Sequence, residues 1–407
     1  MKRALRRTSL SAFVALAVGS LVGTCTSTSN DAAKTEDSSG GGKTTSGGTG
    51  GKAASGKTVS GGNATGGAPA GGPDVDQVVA VPGGPCAYTD DKQFCACLAK
   101  NCGGDSLPDK DGVYHSVYCG NCSNGQICVG QPTFAGGAAG ACAAIGGLTP
   151  AQKKTSEQLT SIWENSTPSI DYAYSRDIRD GRGYTSGRAG FCTGTGDGIV
   201  VVACYDAVKP GNTMEKFMPA LKSIQDKFVL SNGTKNQGAT NTLPGWAATW
   251  KAAAADPAFR GCQDAVVDAV YYGAAMQHAA AKKFTTALTK AAFYDAQINN
   301  GDDNPEYGMK AMIAAADKVA GALADPPTRA DESKWLAAFL KIRAQIMYDD
   351  AQTWRANMYR VANYEKLRKD GNFDLTGCVQ TGQSSAADMW PGAGFTSDPG
   401  DSFKVCN

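Results

Sequence analysis

Apolar residues recur at helical spacing through most of the chain after residue 148. Thr149 and Pro150 precede the first of these patterns, and they suit an N-cap followed by the first position of a helix. Alanine, the strongest helix former, is abundant in several later segments. Further helices are predicted at 213–228, with Thr213 as its cap, and at 265–298, 309–323 and 335–367.

Strand patterns are scarce in this part of the chain. The β-branched run at 199–204, Ile-Val-Val-Val-Ala-Cys, is the strongest candidate for a strand. We therefore predict that residues 147–407 form one mainly helical domain with a small sheet. Its length suits a single catalytic unit.

The N-terminal part of the chain has a different composition. Residues 1–25 carry a basic start and a short apolar run, which predicts a signal peptide. The residues before Cys25 resemble a bacterial lipobox, so ordinary cleavage and lipoprotein processing both fit. Residues 26–84 are rich in Gly, Ser and Thr and predict a flexible linker.

Eight of the 14 cysteines lie between Cys86 and Cys142, which predicts a small disulfide module over residues 85–145. The pair Cys119 and Cys122 could form half a zinc site, but an exported chain favours disulfides. Two functions of the module remain open. Its aromatic residues either stack on sugar rings of a cell-wall polysaccharide or fill a small core; they are Tyr88, Phe94, Tyr114 and Tyr118.

Charge and histidine content exclude several classes of function. The formal net charge is +1, with 39 basic and 38 acidic residues, so no basic field indicates nucleic acid binding. The only histidines are His115, in the disulfide module, and His278, in an alanine-rich helical run. This argues against Ser-His-Asp catalysis and histidine-rich metal sites. The glycines at 194–198 lack the spacing of a dinucleotide-binding loop.

Two acids stand in settings that suit acid–base chemistry on a sugar polymer. Glu164 precedes Pro168 by four residues, so we expect it at a helix C-terminus, where the helix dipole disfavours a negative charge. Asp180 is followed by Arg182, whose guanidinium favours the ionised carboxylate. Glycosidic hydrolysis needs one protonated and one ionised carboxyl group. The hydroxyl of Thr185 could hold a water.

Several short stretches carry a family resemblance. They are Glu164-Asn165-Ser166, Asp177-Ile-Arg-Asp180-Gly-Arg-Gly-Tyr-Thr185, and the residues at 190–197, 209–212, 292–295 and 371–375. Over residues 158–375 the chain thereby resembles the chitosanases of glycoside hydrolase family 46. The disulfide module lies outside this resemblance.

The resemblance implies a lysozyme-like fold of two mostly helical lobes around a cleft, and inverting endo-hydrolysis of β-1,4-linked glucosamine. It implies that Glu164 is the general acid, that Asp180 is the general base and that Thr185 helps to hold the attacking water. Asp197 would bind a substrate amino group. Asn165, Tyr174, Arg182 and Thr195 match cleft residues, and Arg343, Asp350 and Arg360 match a buried ion network behind the acid.

The domain after residue 147 has five cysteines, an odd number, and Cys192 matches a cysteine of the family that can stay free. Disulfides between Cys204 and Cys262 and between Cys378 and Cys406 are then a plausible pairing, which no sequence rule fixes. The expected enzyme is a monomer that is secreted or held at the outer surface, acts on chitosan and needs no metal or cofactor. A muramidase or chitinase on the same fold is the first alternative. A cell-wall-binding protein with an inactive hydrolase domain is the second.

Overall fold

The computed structural model describes residues 84–407, except 124, 131–139, 231–237, 239, 303, 351–353 and 407. The predicted signal peptide at 1–25 and almost all of the predicted linker at 26–84 lie outside the described residues. The described residues belong to one compact unit.

The disulfide module consists of one short helix and two antiparallel hairpins. Its elements are α1 (Asp91–Cys97), β1 (Gly104–Pro108), β2 (Tyr114–Tyr118), β3 (Ile127–Val129) and β4 (Ala141–Ala143). β1 pairs with β2 and β3 pairs with β4. The Asp90 side chain accepts a hydrogen bond from the backbone N–H of Gln93 and so caps α1. Phe94, Leu107 and Val117 fill a small core of its own.

Four disulfides hold this module, which confirms the predicted disulfide-rich region. The bonded pairs are Cys86–Cys97, Cys95–Cys119, Cys102–Cys128 and Cys122–Cys142. Cys119 and Cys122 therefore belong to two different disulfides and are not half of a zinc site. Phe94 and Tyr118 are buried, whereas Tyr88 is 37% exposed and stacks on His115.

The rest of the chain is mainly helical with two small sheets, as the sequence predicts. Up to residue 300 its elements are α2 (Pro150–Asn165), β5 (Ser175–Asp177), β6 (Tyr184–Ser186), β7 (Phe191–Cys192), α3 (Asp197–Val208), α4 (Met218–Leu230), α5 (Trp246–Ala253), α6 (Pro257–Val267), a π-helix (Asp268–Tyr272), α7 (Gly273–Ala281) and α8 (Ala287–Asn300). They are followed by α9 (Met309–Ala320), α10 (Arg329–Asp349), α11 (Tyr359–Lys369), β8 (Cys378–Gln380), α12 (Ala386–Met389) and β9 (Lys404–Cys406). The sheet orders are β5-β6-β7 and β8-β9, and all pairings are antiparallel.

Helix α2 begins and ends where its sequence requires. Thr149 and Gln152 form a reciprocal capping box, and Pro150 occupies the first turn. Leu159 and Ile162 bury one face. The helix ends because Ser166 adopts a left-handed conformation with φ 52°, which places Glu164 in the last turn, as expected.

The prediction of a strand at 199–204 is wrong, because these residues lie within α3. Every residue of α3 from Asp197 to Tyr205 is buried. A helix that is enclosed on all sides has no polar stripe, so its sequence shows the same continuous apolar run as a buried strand. The sheet near this point is built instead from β5, β6 and β7.

Two further boundaries differ from the prediction. Asn212, not Thr213, accepts a hydrogen bond from the backbone N–H of Met214, and a 3-10 turn at Glu215–Phe217 precedes α4. The alanine-rich segment 265–298 is not one helix, because the π-helix and a loop at 282–286 interrupt it.

Two described disulfides tie the helical part together, and they are the pairing that the sequence made plausible. Cys204 and Cys262 link α3 to α6, and Cys378 and Cys406 link β8 to β9. Cys192 is disulfide-bonded as well, so the expectation that it stays free is wrong. Within the described residues, no helix has the length and apolar composition needed to cross a bilayer.

Candidate active site

Glu164 lies in the last turn of α2 and lines a cleft between this helix and the sheet β5-β6-β7. Its side chain is 17% exposed, and Arg360 donates a hydrogen bond from Nη2 to Oε1 over 2.7 Å. Arg360 therefore fixes the orientation of the carboxyl group. It also sets a positive charge beside Glu164, a neighbour that the helix-end argument did not include.

Arg360 belongs to a buried ion network behind Glu164. Asp295 Oδ1 accepts from Arg360 Nη2 at 2.7 Å, and Asp295 Oδ2 accepts from Arg343 Nη1 at 2.6 Å. The side chains of Arg343 and Asp295 are fully buried, and that of Arg360 is 1% exposed. Burial raises the pKa of Asp295, but the two guanidinium groups outweigh it and lower the pKa below its usual value.

The carboxylate that joins the two arginines is Asp295, not Asp350 as expected. The other side-chain partners of Arg343 are Asn299 and Asn300, which follow Asp295 on α8. Asp350 is the residue after α10, and none of the described hydrogen bonds of Arg343 or Arg360 reaches its side chain. Asp295 lies in the motif at 292–295, so that stretch of the family resemblance was the signal for it.

Asp180 lies in the loop between β5 and β6, and Arg182 holds it from the same loop. Asp180 Oδ1 accepts from the Arg182 backbone N–H at 2.9 Å, and Oδ2 accepts from Arg182 Nε at 2.8 Å. The guanidinium expected beside this carboxylate is therefore present. Asp180 is 24% exposed, so it remains accessible to water and substrate.

Thr185 lies on β6, where it pairs with Arg176 on one side and Cys192 on the other. It is 1% exposed, and its hydroxyl has no hydrogen-bond partner among the described residues. The cleft around it is also lined by three residues named from the sequence: Glu164, Asn165 and Tyr174. A buried hydroxyl without a protein partner suits the binding of a water or of a substrate oxygen.

Asp197 is the first residue of α3 and is 8% exposed. Its Oδ1 accepts hydrogen bonds from the backbone N–H groups of Cys192 and Gly198 and from the hydroxyl of Thr195, at 2.8, 3.1 and 3.0 Å. None of the described hydrogen bonds goes to Oδ2. Burial raises the pKa of Asp197 to about 6, although the three donors oppose this shift. The geometry fixes one oxygen and leaves the other able to accept.

A second charged group lines the cleft and was missed from the sequence. Arg188, 5% exposed, pairs with Glu157 at 3.1 Å and with Asp264. Lys153 reaches both Glu157 and Asp268, at 3.5 and 2.7 Å. Glu157 precedes Glu164 by seven residues on α2, and this two-turn spacing could have shown that both acids share a face.

Within the described part of the chain, one group of residues offers ligand atoms close enough together for a metal ion: Cys102, Cys122 and Cys142. All three sulfurs are used in disulfides of the module.

Comparison with known proteins matches the domain that carries these residues. The model of glycosyl hydrolase family 46 matches residues 158–379. The chain is 38% identical to a chitosanase of Bacillus subtilis (strain 168) over 238 residues. This aligned region covers 57% of this chain and 82% of the relative.

Two solved structures are similar to the fold. The native chitosanase from Bacillus subtilis MY002 is 34% identical, with a TM-score of 0.52 over 64% of this chain and 100% of that one. A family 46 chitosanase from Gynuella sunshinyii, in complex with chitotetraose, is 34% identical, with a TM-score of 0.51 over 63% of this chain and 98% of that one.

The matched segment contains Glu164, Asp180, Thr185 and Asp197. The family match and the chitosanase relatives show that this mainly helical domain is a glycoside hydrolase. The chain belongs to glycosyl hydrolase family 46.

Proposed function

We propose that the enzyme is an endo-chitosanase that cleaves β-1,4 linkages between glucosamine units with inversion. Glu164 is the general acid, Asp180 is the general base and Thr185 helps to hold the attacking water. The observation that carries this proposal is that Glu164 and the unpartnered hydroxyl of Thr185 line one cleft. The chitosanases among the relatives support the choice of substrate.

The reaction assigns one proton transfer to each carboxyl group. Asp180 takes a proton from water while the water oxygen bonds to the anomeric carbon. The bond from that carbon to the glycosidic oxygen breaks, and Glu164 gives its proton to the departing oxygen. Arg360 holds the carboxyl of Glu164 in place, and Arg182 fixes the orientation of the Asp180 carboxylate through an ion pair of 2.6 Å.

Asp197 supplies the preference for a deacetylated sugar. Its Oδ2 can accept from a glucosamine ammonium group, while Thr195 and two backbone N–H groups hold Oδ1. A hydrogen bond to a charged group contributes about 1.5–3 kcal/mol. An acetylated sugar has no ammonium group and forfeits this contact. Asn165, Tyr174 and Arg182 complete the proposed substrate contacts.

The catalytic roles are tested by Glu164→Gln and Asp180→Asn. Each removes a transferable proton or a base and keeps the shape of the side chain. We expect turnover on chitosan to fall by about 10²–10⁴-fold in each variant, with unchanged circular dichroism. Glu306→Gln, at an exposed site, is the matched control and should keep full activity. Turnover close to that of the wild type in either site variant would contradict the assignment.

The substrate is tested by release of reducing ends from chitosan, chitin and peptidoglycan. We expect the fastest release from chitosan. Faster hydrolysis of chitin or peptidoglycan would favour a chitinase or a muramidase instead, and failure on all three would favour a wall-binding protein without activity.

We also propose that the protein is exported. The six described disulfides support this location, because such bonds persist in oxidising compartments. Fractionation of the producing cells tests it: activity should appear outside the cytoplasm, and recovery of all the activity with reduced thiols in the cytoplasm would contradict it.

A further inference from the structure

The disulfide module shares its hydrophobic core with the hydrolase domain. Tyr118 and Ile127 belong to the same buried cluster as Tyr271 and Tyr272 of the π-helix. On the other side of the module, Leu107 belongs to the separate small core. The module therefore has one face that belongs to the domain and one core of its own.

The module and the hydrolase domain approach each other closely at the π-helix and at the start of α7. A methyl group on Gly273 would overlap the backbone carbonyl of Cys128, so the two backbones touch at this point. Likewise, a methyl group on Gly103 would lie 3.1 Å from the side chain of Ala269. The segment joining the module to α2 contributes as well, since the backbone N–H of Leu148 donates to the Tyr272 hydroxyl at 2.7 Å.

The π-helix and the residue before it also lie next to the active site. Val267, the last residue of α6, lines the cleft together with Glu164. Asp268 pairs with Lys153, which also reaches Glu157 on α2. Tyr271, also on the π-helix, is 3% exposed and belongs to the same buried cluster as Trp163, the residue before Glu164.

A π-helix is rare and is retained where the surrounding structure enforces it. Here the module contacts the π-helix at Ala269, and Val267, the residue before the π-helix, lines the cleft. We propose that the disulfide module is a brace for the π-helix Asp268–Tyr272 and thereby positions the wall of the catalytic cleft beside Glu164. The module is a positioning element for the reaction, and the inference rests on the function proposed for Glu164.

The test compares two truncations inside the module of the full chain. Ile127→Ala removes apolar contacts on the face that meets the domain, and Leu107→Ala, the matched control, removes them from the module's own core. We expect both to lower the melting temperature. Measured on chitosan well below both melting temperatures, kcat should fall about tenfold in Ile127→Ala and stay within about twofold in Leu107→Ala. Unchanged kcat in Ile127→Ala, or equal losses in both variants, overturns the proposal.

A second pair of variants tests the same contact by substitutions in the hydrolase domain. Gly273→Ala forces a methyl group against Cys128, whereas Gly261→Ala on α6 adds one that meets no atom within 4 Å beyond its own stretch of helix. Only Gly273→Ala should lower kcat.

Amide hydrogen exchange provides a readout that needs no substrate. Exchange at 160–165 and 268–272 should accelerate in Ile127→Ala and remain slow in Leu107→Ala. Unchanged exchange in Ile127→Ala would overturn the proposal whatever polymer the enzyme cleaves, and it thus separates failure of the brace from failure of the proposed substrate.

Discussion

At the residue scale, ionisation of the buried Asp197 carboxyl group lowers the stability of the folded protein. Its pKa of about 6 lies above the ordinary 3.8, so the folded protein binds this proton more tightly than the unfolded chain does. The favourable contribution is present at low pH and is lost as the pH rises from about 4 to about 6. A buried carboxylate that becomes less favourable on ionisation is better explained by ligand binding than by stabilisation of the fold.

This predicts how substrate binding depends on pH. Only the ionised form of Asp197 attracts an ammonium group, so KM for chitosan should rise as the pH falls through about 6. In Asp197→Asn, KM should be higher throughout and should lose this dependence. Initial rates measured between about pH 5 and pH 7 test both statements. A KM for Asp197→Asn with the same pH dependence as the wild type would exclude Asp197 as the titrating group.

The surroundings of a site residue could be predicted from the sequence where its partners are close to it along the chain. Arg182 lies two residues from Asp180, and the end of α2 follows from Pro168, so the surroundings of both acids could be deduced in part. Asp295 was not recognised because its partners lie 48 and 65 residues further along the chain. A buried ion pair of this kind depends on how helices pack, which local patterns do not show.

At the element scale, the ion network joins four helices. Glu164 is on α2, Asp295 on α8, Arg343 on α10 and Arg360 on α11. Removing one member of a buried pair leaves a charge without compensation, which commonly costs about 3–5 kcal/mol. The network should therefore matter both for the stability of the helical core and for the position of Glu164.

Asp295→Asn tests this role. The substitution leaves two buried guanidinium groups with one carboxylate fewer, so we expect the free energy of unfolding to fall by about 3–5 kcal/mol and kcat to decrease. Asp325→Asn is the control, since Asp325 pairs with Lys283 at the surface and is 74% exposed. Loss of this surface ion pair should lower the free energy of unfolding by no more than about 1 kcal/mol. Urea unfolding that gives equal values for the two variants would contradict a structural role of the network.

The prediction of helices was correct where one face of the helix is polar, and it was wrong where the helix has no polar face. Helix α2 has a capped start, a clear apolar face and a proline that follows its end, and its bounds are close to those expected. Helix α3 is buried on every side, so its β-branched residues indicated a strand. The π-helix had no signal in an alanine-rich sequence, because local helix propensity does not distinguish a π-helix from an α-helix.

At the scale of the whole molecule, the formal net charge is close to zero, so the proposed binding of a cationic polymer relies on local carboxylates and not on a field of the whole protein. The predicted fold class is confirmed, and so is the disulfide-rich region before it. The contact between that region and the hydrolase domain was not predicted, because the family match begins at residue 158 and no periodic pattern describes how two folded parts meet. The boundary between 85–145 and 147–407 remains a prediction.

The most direct test of the central claim is the configuration of the first product. The enzyme is mixed with chitosan, and proton NMR follows the anomeric signals before mutarotation equilibrates them. If Asp180 activates a water opposite the bond that Glu164 protonates, the new reducing ends should appear first as the α-anomer. Initial release of the β-anomer would mean that the configuration is retained, and it would contradict the roles assigned to both acids.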